Sequence, residues 1–87
     1  MKIKEGFVLR SVAGSHIVVP LGNQISNFGS IIKLTETGAF LWAQLESEKT
    51  IDELVLALTN EYEVDREKAT TDVTAFVQKL SSNNLLV

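Results

Sequence analysis

Along the chain the apolar positions change their period once. Up to about residue 34 they fall in short β-branched and aromatic stretches, the pattern of strands, and beyond it they recur every three to four residues, the pattern of helices with one buried face. Phe7–Val12 and Ser15–Pro20 are predicted as the first two strands, joined at Ala13 and Gly14 as a hairpin, with the glycine free to take positive φ. Pro20 closes the second strand because it has no N–H to give to a ladder. Gly22 and Asn23 then open a loop running through Ser26, Asn27 and Gly29. Residues 30–34 are predicted as a third, short strand. Its adjacent isoleucines, Ile31 and Ile32, point to opposite faces, so one faces the core and the other needs cover.

The change of period falls in residues 33–42, Lys-Leu-Thr-Glu-Thr-Gly-Ala-Phe-Leu-Trp, which make a hinge between a strand layer and a helix layer. Thr35 is an N-cap, since its hydroxyl can accept from an orphan amide of the first turn, and Glu36 sits where the helix dipole favours an acid. Phe40, Leu41, Trp42 and Leu45 follow and supply the bulkiest apolar surface of the chain, the predicted nucleus of the fold. Thr50 and Glu53 form a capping box for a second helix, whose stripe is Ile51, Leu54, Val55, Leu58 and Tyr62 and whose end is expected near Glu63. Asp65 caps a third helix with the stripe Ala69, Val73, Phe76, Val77 and Leu80, and Asn83 with Asn84 can supply a left-handed terminus. Leu85, Leu86 and Val87 are expected to pack back on the body. The elements compose one α+β domain over residues 1–87, winged helix-turn-helix-like, with a three-stranded antiparallel sheet followed by three helices.

Composition narrows the chemistry. With no cysteine there is no disulfide framework, thiolate metal site or cysteine nucleophile, and no apolar run approaches the roughly 18 residues that span a bilayer. A cytoplasmic chain with no membrane association is expected. His16 is the one histidine and lies in a predicted strand, which favours a surface or structural role. The acids sit at helix ends and on solvated faces. No pair of carboxylates, metal-ligand set or phosphate-cradling loop stands out, so neither catalytic residues nor a cofactor is expected.

Charge bears on partners. Residues 1–33 hold four cations against one acid, a net of +3, whereas residues 34–87 hold ten acids against four cations, a net of −6. A winged helix raises the question of DNA, but the third helix sets Arg66, Lys68 and Lys79 against Glu67 and Asp72 and follows an acidic helix, a poor phosphate partner. No nucleic acid is expected. The third strand, last in the sheet and with one isoleucine to spare, reads instead as an open edge to which an extended peptide can add by β-augmentation. The competing expectation is that residues 85–87, or the mate in a homodimer, cover the spare isoleucine.

The sequence also resembles the PqqD-like family, small winged-helix domains that recognise precursor peptides in ribosomal peptide maturation. The resemblance runs through Phe7-Val8-Leu9-Arg10 and Val18-Val19-Pro20-Leu21-Gly22, and is clearest at Leu34-Thr35-Glu36-Thr37-Gly38-Ala39-Phe40-Leu41-Trp42. It continues through Thr50-Ile51-Asp52-Glu53-Leu54, Tyr62-Glu63-Val64-Asp65, Asp72-Val73, Phe76, Leu80, Leu85 and Leu86. Thr35 stands where the family often has asparagine and Asn84 where it often has glycine, both replacements that keep the capping function. The resemblance implies a non-catalytic protein that binds the leader segment of a precursor peptide and presents it to a modifying enzyme, commonly a radical SAM enzyme. It places the leader as an added strand beside Ser30, Ile31, Ile32, Lys33 and Leu34, in a cleft whose helix side offers Asp72, Val73, Phe76, Lys79 and Leu80. Lys33, a cation on an edge strand, is expected to pair with an acidic leader.

Overall fold

A two-residue turn sets the geometry of the sheet. Ala13 (φ 52) and Gly14 (φ 81) are both left-handed, a turn whose twist matches that of the strands it joins, although positive φ is expected of the glycine alone. The turn pairs β1 (Phe7–Val12) with β2 (Ser15–Pro20) antiparallel, from Val12 opposite Ser15 out to Phe7 opposite Pro20. The computed structural model describes residues 1–25 and 31–87, so the loop positions Ser26, Asn27 and Gly29 and the strand position Ser30 lie outside the described residues. A short 3-10 turn occupies Gly22–Gln24. The third strand, β3 (Ile32–Leu34), is shorter than its expected span and pairs antiparallel with β2, setting Leu34 opposite His16, Lys33 opposite Ile17 and Ile32 opposite Val18. The strand order is β1-β2-β3.

Alternation gives the sheet two unlike faces. Val18, Ile32 and Leu34 are buried on one, with Phe7 and Leu9 partly buried beside them, and the helices cover this face. Lys33 and the spare isoleucine, Ile31, are exposed, Ile31 at 78%.

One residue, Thr35, joins β3 to α1 (Glu36–Gln44), and its hydroxyl accepts from the Gly38 amide at 3.1 Å. Leu41 and Trp42, with Leu45 just past the helix end, enter the core, while Phe40 is half-buried. The second helix, α2 (Ile51–Glu61), buries Leu54, Val55 and Leu58. Its stripe is narrower than the sequence suggests, since Ile51 and Tyr62 are 38% and 36% exposed. The helix stops at Glu61 rather than near Glu63 because Tyr62 turns extended (φ −123, ψ 151), setting its ring edge-on against Phe40 with centroids 5.5 Å apart.

The capping box of α2 is complete, with the Glu53 amide donating to the Thr50 hydroxyl and the Thr50 amide donating to the Glu53 carboxylate. That backbone hydrogen bond is the main cause holding the Glu53 carboxyl below its ordinary value of 4.5. A carboxyl lowered on folding contributes stability that is full above the ordinary value and is lost as pH falls through the lower folded one. Glu53→Gln is therefore expected to flatten the acid limb of the stability curve below about pH 4.5, as measured by urea unfolding at stepped pH. An unchanged acid limb would remove Glu53 from the acid response.

The third helix, α3 (Arg66–Ser82), is capped by Asp65, whose carboxylate accepts from the Lys68 amide at 2.8 Å, and it buries Ala69, Val73, Phe76 and Leu80. At its end Asn84 takes φ 58, the Asn84 amide donates to the Ser81 carbonyl at 3.0 Å and the Leu85 amide donates to the Leu80 carbonyl at 3.0 Å, a Schellman motif. The motif turns Leu85 into the core at 0% exposure. The tail then runs against the N-terminal segment, with Leu86 bridged to Ile3 and the Val87 amide donating to the Lys2 carbonyl at 2.9 Å. The tail packs back as expected, but on residues 2–4 and not over Ile31.

Candidate functional site

The direction of each backbone group in β3 follows from the hairpin. In a two-residue turn the flanking residues are hydrogen-bonded to one another, so Val12 bonds Ser15, and by alternation Arg10 bonds Ile17 and Val8 bonds Val19. The series continues beyond the strands, where the Leu21 amide donates to the Gly6 carbonyl at 2.7 Å. The groups of His16 and Val18 therefore face the other way, towards Leu34 and Ile32 of β3. Lys33, between them, is left with its N–H and C=O pointing away from β2. Among the described residues no strand lies on that side. Among the described residues the outward carbonyl accepts from one side chain, the Lys79 ammonium of α3, at 3.4 Å.

Beside this edge lies a groove of about 350 Å³ between the start of α1 and the middle of α3. Gly38, Leu41, Ala75 and Phe76 make its apolar lining, and Thr35, Thr37 and Asp72 its polar rim. Gly38 sits where α1, β3 and the Phe76 ring come together. A Cβ there would lie 3.3 Å from both the Leu34 Cβ and a Phe76 ring carbon, so glycine lets helix, strand and ring converge despite its cost in a helix. A smaller cavity of about 130 Å³, lined partly by Tyr62, Val64 and Lys68, shares Thr37 and Asp72 with the groove and extends it towards the α2–α3 turn. Asp72 is held by Lys68 one turn away, at 3.3 Å.

Of the residues named from sequence, all but Ile31 and Ser30 fall into three sets. Ile32, Leu34, Val73 and Leu80 are buried in the core and support the site from beneath, Val73 and Leu80 at 0% exposure. Asp72 and Phe76 line the groove, while Lys33 and Lys79 meet at the strand edge. Ile31 is exposed at the start of β3, and Ser30 lies outside the described residues. Thr35, Thr37, Gly38 and Ala75 were not expected at the site. A glycine in the first turn of an otherwise well-capped helix is the signal that points to such a close approach. His16 stands apart from the groove, with Nδ1 2.8 Å from the Ser11 hydroxyl and Nε2 3.5 Å from the Glu36 carboxylate. Among the described residues no three His, Asp or Glu side chains gather as a metal site, and no helix is long and apolar enough to cross a membrane.

Residues 8–86 match the family of coenzyme PQQ synthesis protein D, PqqD. The chain belongs to the PqqD family. Among curated proteins none matches it. The structure of TbiB1 in complex with the TbiA(beta) leader peptide covers 99% of this PqqD-family chain and 94% of its own, at 29% identity and a TM-score of 0.76. That of lasso peptide synthetase B1 complexed with the leader peptide covers 97% and 93%, at 23% identity and a TM-score of 0.73, and shares the fold. The α+β architecture of a three-stranded antiparallel sheet followed by three helices is thus common to this PqqD-family chain and both neighbours.

Proposed function

We propose that this PqqD-family chain binds the leader segment of a ribosomally made precursor peptide as an added strand along β3, and presents it to a modifying enzyme of the radical SAM class without catalysing a reaction itself. The observation that carries the reading is the outward N–H and C=O of Lys33 on an edge strand, beside an apolar groove floored by Phe76. An extended guest gains backbone hydrogen bonds from the edge, and alternate guest side chains turn towards α3 and the groove. TbiB1, which has the same fold at 29% identity, is itself seen with a leader peptide. Family membership supports the reading from a second side.

The test is a titration of isotopically labelled protein with the leader segment of the precursor encoded beside its gene. Amide signals of residues 30–34 and 72–80 are expected to shift together and saturate at one equivalent. Shifts confined to other regions would reject the mapping, and no shift at millimolar peptide would reject leader recognition.

A further inference from the structure

We propose that Lys79 sets the specificity of the leader site: its ammonium holds the outward carbonyl of Lys33 and is freed when a guest strand takes that carbonyl, so the site selects a leader with a carboxylate two residues from an apolar side chain. The inference rests on the strand-addition reading above and goes on to say which peptides that strand accepts.

A guest amide approaching the edge takes the position held by the Lys79 ammonium, 3.4 Å from the Lys33 carbonyl oxygen. The freed ammonium is then covered by the guest, and a covered charge without a partner is costly. Among the described residues no carboxylate is placed to replace that partner. Asp72, the nearest acid along α3, is engaged by Lys68 at 3.3 Å, and among the described residues neither Lys79 nor Lys33 has a carboxylate partner. The anion must therefore come with the guest. The side chain of Lys33 is not the alternative, because alternation with buried Ile32 and Leu34 sends it to the opposite face of the sheet. What Lys33 brings to the cleft is its backbone.

The same alternation fixes the spacing. Guest residues opposite Ile32 and Leu34 turn towards α3, where Lys79 lies on the Lys33 side and Phe76 lies beyond it, against Gly38. Two guest side chains on one face are separated by one residue, which gives a carboxylate at one position and an apolar group two residues away. A chain of net charge −3 that nonetheless selects an acidic leader does so through a local cation, a preference that salt weakens.

The probe is a displayed library of random 14-residue peptides, selected in parallel on the wild-type protein, Lys79→Met and Lys79→Glu. Lys79 is exposed, so these variants keep the core intact. The wild type is expected to enrich Asp or Glu two residues from an apolar residue. Lys79→Met is expected to keep the apolar preference and lose the acidic one, and Lys79→Glu to enrich Lys or Arg instead. For one selected acidic peptide, Lys79→Glu should weaken binding about tenfold, and an acid-to-lysine change in that peptide should restore it. Enrichment on the wild type without an acidic preference, or the same acidic preference on Lys79→Glu, overturns the role of Lys79 and leaves strand addition standing. A wild type that enriches no peptide overturns both.

Discussion

Lys33→Pro is expected to leave the fold intact and weaken leader binding by about ten- to a hundredfold, whereas the same change one residue earlier, Ile32→Pro, is expected to unfold the sheet edge. The contrast comes from the ladder. Proline removes an N–H, and at Lys33 that N–H points away from β2, where an edge strand tolerates the loss. A guest strand needs this donor to pair with the residue opposite, and the pyrrolidine ring stands in its place. A hydrogen bond lost with its partner left unsatisfied costs about 1–3 kcal/mol, and 1.4 kcal/mol is tenfold in affinity. At Ile32 the N–H faces Val18 and the side chain is 6% exposed, so proline there breaks a ladder bond and empties a core position. Calorimetric titration with the leader peptide, alongside thermal melts of both variants, reads the two effects separately. Affinity within twofold of wild type in a folded Lys33→Pro protein would mean that no strand adds at this residue.

That contrast depends on the register of β3, which the sequence does not show. The two-residue turn at Ala13 and Gly14 already determines which side of β2 faces β1, so the backbone groups of β2 left for a third strand are legible from the hairpin. That Lys33 lies opposite Ile17 is not legible, because a connection from Leu21 to Ile31 is too long to transmit register. Helix caps were readable because each is a local contact: Thr35, Thr50 and Asp65 all cap as their side chains suggest. The stripe of α3 was readable too, with Val73 and Leu80 sealed in the core, but Phe76 of the same stripe reaches the groove together with Ala75, which lies outside the stripe. Periodicity identifies a buried face and says little about where that face ends. The bridge between Ile3 and Leu86 joins opposite ends of the chain, and no local pattern signals it.

The largest effect on stability is expected from Trp42→Ala. Trp42 is 2% exposed, between Leu41 at 1% and Leu45 at 0%, and its indole is the bulkiest side chain of the core. Emptying a buried aromatic site costs about 3–5 kcal/mol, against a total of about 4–13 kcal/mol expected for a chain of this length. The urea midpoint should fall by about a quarter or more with its slope unchanged, and a loss equivalent to less than about 1 kcal/mol would mean that Trp42 is not an anchor of the core. Binding should respond differently. The α1 side of the groove is built by Thr35, Thr37, Gly38 and Leu41, and Trp42 does not line it. Folded Trp42→Ala molecules should therefore bind the leader as wild type does, with apparent affinity lowered only by the fraction unfolded. Excess leader should raise the midpoint again by mass action. Lys33→Pro has the opposite signature, a retained midpoint that the same excess of leader raises less, so the two variants separate a residue that makes the fold from one whose backbone is proposed to take the guest strand.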